Sequence, residues 1–299
     1  MGKARVISES GYFSKEAIER FKERRKVREM ERGGTMGEKS FKKSNNLIYA
    51  YSNGSLLAEQ LFAIGMQNIF VDENNRVVST MYGDDIKKGL GLISNSIYKR
   101  IRELCDRENT SASIYDWMIT YKDRESGNMV EHNVVSEASF QNGTLRVIYN
   151  SAITDLIVNL SMNYTVLNFS ESMSFKTKNS YRLYELIKAD YAFKTHEMKK
   201  REGITSDYNL TELKLMMGDI DYKSMPLISD ELVKDYPDYK RIEDIVNGTG
   251  FDNHKGYFKF NEKVLAGAVK ELNEKTSQNV EYAPIKEGRV VVGVRFFMS

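Results

Sequence analysis

The sequence predicts an α+β chain of two tandem winged-helix domains of similar architecture, preceded by a basic N-terminal arm. Three observations carry this expectation. The chain has 299 residues, the length of about two ordinary domains. Its apolar spacing is helical in some stretches and alternating in others. Each half also runs helices first and closes on a hairpin pattern. With 41% hydrophobic and 29% charged residues, the chain can bury real cores.

Taken in order, residues 1–44 read as a mobile basic arm. Residues 1–46 hold 13 Lys+Arg against 7 Asp+Glu, which leaves 31 against 35 for the rest. Ser14–Arg32 is a charged helix pattern with only Ile18, Phe21, Val27 and Met30 as apolar content, and Gly33-Gly34 breaks it. A solvated tail without a function is the alternative reading. The string GGTMGEKS at 33–40 approaches a phosphate-binding loop, but Glu38 separates Gly37 from Lys39 and no apolar strand precedes it.

The first domain is expected over residues 45–170. Leu56, Leu57, Gln60, Leu61, Ile64 and Met66 follow helical spacing. A strand at Arg76–Met81 leads to a helix at Asp84–Leu90. A second helix, Asn95–Arg107, follows, with Ile93, Ile97, Ile101 and Leu104 as its stripe. Alternation then marks Ser113–Tyr121, Met129–Phe140 and Leu145–Tyr149, with Asn142-Gly143 as the hairpin turn. Ser151–Leu160 reads as a further helix.

The second domain is expected over 171–299 in the same order. It has a helix at Ser180–Phe193 and another at Thr211–Met217 stopped by Gly218. A polar insertion at about 219–253 holds helices near Ser229–Val233 and Lys240–Val246. A long helix at Phe260–Lys275 follows. The closing strands are Val280–Tyr282 and Arg289–Met298, joined at Lys286-Glu287-Gly288, with Val290, Val292, Val294 and Phe296 on one face.

Composition narrows the function. A lone cysteine, Cys105, excludes an intrachain disulfide and makes a reducing compartment the default. With His132, His196 and His254 scattered, it builds no thiolate zinc site. No apolar run approaches the ~20 residues of a membrane span, and the opening residues hold no signal core, so a cytoplasmic protein is expected. Asp84-Asp85 diverge on a helix, and no Ser/His/Asp set stands out. No enzymatic activity and no cofactor are expected. The net charge of +2 points to no partner by itself, so any nucleic-acid surface has to be local.

The helix at 260–275 is the strongest local candidate. Phe260, Val264, Leu265, Ala268, Val269 and Leu272 form its buried side, and the other presents Lys259, Lys263 and Lys270 around Ala266 and Gly267. Glycine inside a helix costs ~1 kcal/mol against alanine, which close approach of another backbone would justify. Lysines at a helix start oppose the dipole. With His254, Lys255 and Lys259 at that end, an incoming phosphate would reverse the penalty. This supports a recognition helix entering a major groove, against an ordinary amphipathic surface helix. Lys286 and Arg289 flank the terminal turn, where a wing would meet the sugar-phosphate backbone. In the first domain Lys99, Arg100 and Arg102 lie off the apolar stripe as a second basic helix face, diluted by Glu103 and Asp106. In Ser180–Ile187 the face of Leu183, Leu186 and Ile187 makes a scaffold helix. Arg182 there either pairs with Glu185 or reaches a phosphate.

The segment SYRLYELIK at 180–188 resembles the S-x-R-L-Y-E-L-L signature of the RepA/RepB/RepE-type plasmid replication initiators that bind iterons. The resemblance continues through YNLTELKLMM at 208–217, VLAGAVKELNEKT at 264–276 and GRVVVGVRF at 288–296. Upstream it includes SNNLIYAYSNGSLLAEQLF at 44–62 and LRVIYNSAITDLIVNL at 145–160. It spans roughly residues 44–299.

What the resemblance implies is a sequence-specific double-stranded DNA binder. Its second domain would read the iteron major groove, and its first would supply phosphate contacts and dimerisation. Monomers would start replication on origin direct repeats and recruit host replication proteins, while dimers repress the protein's own promoter at an operator inverted repeat. By position, Asn261, Glu262 and Lys263 open the recognition helix. Glu262 departs from the basic residues usual there, and either accepts from a cytosine amino group or faces solvent. The 219–253 insertion is longer than in compact members and would protrude beside the DNA-reading helix. Rolling-circle initiators, which are nucleases, need a close histidine pair that this chain lacks. A winged-helix transcriptional regulator without a replication role needs the same groove contacts and stays as the alternative. An interaction-only protein is the third reading.

Overall fold

The computed structural model describes residues 40–109, 113–123, 127–158, 160, 162–197, 204–249 and 254–299. The basic arm lies outside these residues up to position 39. Its expected last five residues, Ser40–Ser44, are strand β1.

The chain then runs through α1 (Asn45–Ile48), β2 (Tyr51–Ser52), α2 (Leu56–Gly65), β3 (Ile69–Val71), β4 (Val77–Tyr82), α3 (Gly83–Gly89) and α4 (Ser96–Leu104). A 3-10 turn at Ile114–Asp116 leads into β5 (Met118–Lys122), β6 (Met129–Asn133), β7 (Val135–Gln141) and β8 (Thr144–Tyr149). A second such turn at Ser151–Ile153, α5 (Thr154–Ile157), β9 (Tyr164–Asn168) and α6 (Phe169–Ser174) follow. Helix α6 straddles position 170, where the first domain was expected to end. Next come α7 (Lys178–Glu197), β10 (Ile204–Asn209) and α8 (Leu210–Met217). The insertion holds a 3-10 turn at Tyr222–Ser224, α9 (Pro226–Leu232) and α10 (Tyr239–Thr249). Last are α11 (Gly256–Phe260), a π turn (Asn261–Leu265), α12 (Ala266–Lys275), β11 (Val280–Glu287) and β12 (Val290–Met298).

The two halves share one wiring. In the first, β4 runs into α3, α4 follows, and the β7–β8 hairpin returns so that β8 pairs antiparallel with β4. In the second, β10 runs into α8, the long helix from α11 to α12 follows, and the β11–β12 hairpin returns so that β12 pairs with β10. Each half is a winged helix, as expected. The stops follow local chemistry. Asn142 and Gly143 both take positive φ (50° and 74°), the two-residue turn that matches strand twist. Gly218, at φ 70°, ends α8 by donating to the Leu215 carbonyl, while Asp219 donates to that of Lys214.

Several expectations are corrected. Ile93 is 98% exposed, because α4 begins only at Ser96 and Ile93 lies in the turn before it; Ile97, Ile101 and Leu104 are buried as read. Met129–Phe140 is two strands in two sheets, split where the Val134 N–H turns to the Trp117 carbonyl. Ser151–Leu160 is only a short turn and α5, since Val158 goes extended. The terminal turn is Gly288-Arg289, with Lys286 and Glu287 still in β11 beyond a bulge at Ile285/Lys286. Val290, near that tip, is 64% exposed, whereas Val294 and Phe296 are fully buried.

The described residues of the insertion do not cover the outer face of the helix expected to read DNA. Its Tyr222, Ile228, Leu232, Ile242 and Val246 are buried, and it reaches back to the first domain. Tyr222 Oη donates to the Tyr51 carbonyl (3.2 Å), Tyr239 Oη meets Tyr51 Oη (2.7 Å), and Lys223 Nζ reaches Asp116 (3.2 Å).

Candidate nucleic-acid interface

From Gly256 to Lys275 the chain forms one continuous helix, starting four residues before the apolar stripe that reveals it. Its inner face is the predicted one: Phe260, Val264, Leu265, Ala268, Val269 and Leu272 are all buried. Two side-chain clamps fix it. Glu271 accepts from the Lys176 N–H (2.7 Å) just before α7, and Asn273 exchanges two 2.9 Å hydrogen bonds with the backbone of Val280 in β11.

The outer face is open. Lys255, Phe258, Lys259, Glu262, Lys263, Ala266, Gly267 and Lys270 recur at three- and four-residue steps and are all exposed. A side chain added at Gly267 would meet nothing within 4 Å, so nothing among the described residues requires a glycine there. The helix start has no side-chain cap and no acidic residue in its first turn, which leaves its N–H groups for an outside acceptor.

The sequence-predicted residues divide into several groups. Lys259, Lys263 and Lys270 share the open face. Lys263 sits 2.8 Å from Glu262, which lifts the lysine above and holds the carboxylate below its ordinary value; Lys270 is 3.9 Å from Glu274. Lys286 and Arg289 are exposed at the hairpin tip. Lys255 is exposed at the helix start, where its ammonium donates to the Asn247 carbonyl (3.0 Å). His254 is turned toward Asp219 (Nδ1 to Oδ1, 2.7 Å), and its carbonyl accepts from Lys214, so it braces the helix entrance. Asn261 sits in the π turn with its Oδ1 accepting from Tyr282 Oη (2.6 Å), a contact to the wing that draws it off the open face. On α4, Lys99 and Arg100 are exposed, Lys99 is 3.7 Å from Glu103, and Arg102 lies over the Phe140 ring of β7 (5.7 Å).

Arg182 is the clear correction. It is fully buried, and its guanidinium donates to the carbonyls of Met216 (3.1 Å), Ile48 (2.7 Å) and Ala50 (2.8 Å) and to Glu185 (2.7 Å). No phosphate can reach it. Lys43 completes the cluster, 2.7 Å from Glu185 and 3.0 Å from Glu59. Burial works against both carboxylates while Lys43 and Arg182 favour their charge. Glu59 is held below the ordinary range, and Glu185, with Glu59 beside it, is raised. The cluster joins β1, α1 and α2 to α7, and through the Met216 carbonyl to α8.

Sequence reasoning missed Lys43 and Phe258. Lys43 sits in a strand whose pattern reads as polar. Phe258 was visible as an apolar residue off the buried register, had the helix been extended back past Phe260.

Residues 40–188 match the family described as Initiator Replication protein, WH1, and residues 240–298 match Initiator Rep protein, WH2. No curated protein matches the chain. The crystal structure of the Pi initiator protein in complex with iteron DNA superposes with a TM-score of 0.56 at 16% identity, covering 88% of this chain and 98% of that one. RctB domains 2-3 align at a TM-score of 0.35 and 12% identity, over 82% and 80% of the two chains. Two winged helices of matching wiring, each falling within or overlapping its own family match, place the chain in the initiator Rep protein family, the iteron-binding plasmid initiators that its SYRLYEL segment resembles.

Proposed function

We propose that this protein binds double-stranded origin repeats sequence-specifically through its second winged helix and so starts plasmid replication. The carrying observation is the unobstructed outer face of the α11–α12 helix, with Lys259, Lys263 and Lys270 on it and Lys286 and Arg289 at the wing tip. The uncapped helix start suits a phosphate, and Glu262 suits a cytosine amino group. Lys99 and Arg100 on α4 supply backbone contacts from the first domain. The similar Pi initiator was crystallised with iteron DNA, which supports the same class of target here. As finer parts of the proposal, monomers load on direct repeats and recruit host replication proteins in the cytoplasm, and dimers repress the protein's own promoter.

The test is binding of the full chain to the DNA flanking its coding region, across a salt series. Tandem direct repeats spaced by whole helical turns should be bound, whereas a lone inverted repeat as the only target would favour a regulator without a replication role. Lys263→Ala should weaken binding and lower the salt slope by about one unit if Lys263 meets a phosphate. If it reads a guanine, the loss is ~1–3 kcal/mol at one base position instead. Unchanged affinity and slope would remove Lys263 from the interface.

A further inference from the structure

The open face of the recognition helix carries one residue whose chemistry is unlike the rest. Phe258 lies in the first turn, three residues after Lys255 and directly before Lys259, and is 80% exposed. The Tyr257 ring stands edge-on beside it at 5.8 Å, and Phe260, two positions on, is the side chain that enters the core. Single exposed apolar residues are ordinary on protein surfaces. This one occupies the turn of a groove-reading helix from which base contacts come. Its nearest neighbours on that face, Lys255, Lys259 and Glu262, are charged and cannot recognise an apolar group, and the Ala266 methyl lies two turns further on.

In the major groove, the apolar feature among the four base pairs is the C5-methyl of thymine. Resting on the DNA-binding reading above, we propose that Phe258 selects a thymine by covering that methyl group. Phe258 and Glu262 are four residues apart on one face, about 6 Å along the helix axis. At about 3.4 Å per base step, the thymine then lies roughly two steps from the base pair that Glu262 meets. Ala266 and Gly267, the small residues of the same stripe, let the helix sit deep enough for a side chain in its first turn to touch base edges.

The experiment uses the full chain and a randomised duplex library. The consensus it enriches is then remade with each thymine replaced singly by deoxyuridine, which deletes the methyl and nothing else. One replacement should weaken the wild type about fourfold, the worth of one buried methyl group. Phe258→Ala should bind the all-thymine duplex correspondingly less well and be indifferent to that replacement. Because the ring is exposed, the variant should keep the wild-type melting curve. An enriched consensus that Phe258→Ala reads with unchanged affinity and an unchanged deoxyuridine response would overturn the assignment and leave sequence-specific binding standing. So would a loss of affinity equal on every duplex. Failure to enrich any consensus would sink the broader reading together with this one.

Discussion

Arg182 and Lys263 show how one kind of charge takes opposite roles. The guanidinium of Arg182 is committed to four backbone carbonyls and Glu185, all away from water. Arg182→Ala would leave those carbonyls without this donor and the buried Glu59 and Glu185 sharing Lys43, so a destabilisation of about 3–5 kcal/mol is expected in urea unfolding. A variant as stable as wild type would contradict this. Lys263 is more than half exposed, and its removal should spare stability while changing DNA affinity. Lys178 is an intermediate case. It lines a polar interdomain cleft of about 400 Å³, where its ammonium donates to the Ser52 carbonyl (3.0 Å), and burial pushes it down to about 8. Between that value and the ordinary lysine range, the unfolded chain holds the proton and the folded chain does not. Stability should therefore rise with pH through this window, by about 1–3 kcal/mol. Comparing wild type with Lys178→Gln at pH 7.5 and pH 10 isolates the effect, and an identical pH response in both would refute it.

At the scale of elements, the α11–α12 helix was legible because its buried side repeats every turn, and its lysines then had to face outward. Its start was not, because Gly256–Lys259 adds nothing to that stripe. Strand β1 escaped notice because its inward side chains include Lys43, a core position that reads as solvent-facing until its two carboxylate partners are in place. The wing turn moved by a residue because a bulge at Ile285/Lys286 shifts the register, and no residue type announces a bulge. Gly267 supplies the test at this scale. Gly267→Ala should raise stability by up to ~1 kcal/mol, since the position is helical and open. Gly267→Leu should fold equally well yet bind DNA at least tenfold more weakly, by holding the helix out of the groove. Full binding by the leucine variant would show that nothing approaches there.

Across the whole molecule, two features tie the winged helices together. One is Arg182, which ties its buried cluster with Lys43, Glu59 and Glu185 to the Met216 carbonyl at the end of α8. The other is the insertion, whose Tyr222 and Tyr239 hold Tyr51 while its first residue, Asp219, meets His254 and the Asn247 carbonyl of α10 accepts from Lys255 at the start of the α11–α12 helix. The expectation that this segment protrudes failed because its apolar residues, spaced for a helix, needed a partner surface and found one between the domains. The consequence is mechanical, since the first domain and the entrance of the α11–α12 helix belong to one packed body. Trp117 is the chain's single tryptophan and lies buried in the first domain. Its fluorescence and the far-UV signal of the whole chain should therefore lose structure at one urea midpoint. Two separated midpoints would show that the domains unfold independently.

The order of amino acids by itself determined the pair of winged helices, the helix that faces outward with lysines, and the family, because local periodicity and short motifs encode each of these. Only the tertiary structure decided which cations are available to DNA. Arg182 and Lys263 both stand on helices beside a glutamate, and no local pattern separates them. What separates them is whether distant residues close over the charge, as Lys43 does on Glu185 from 142 positions away.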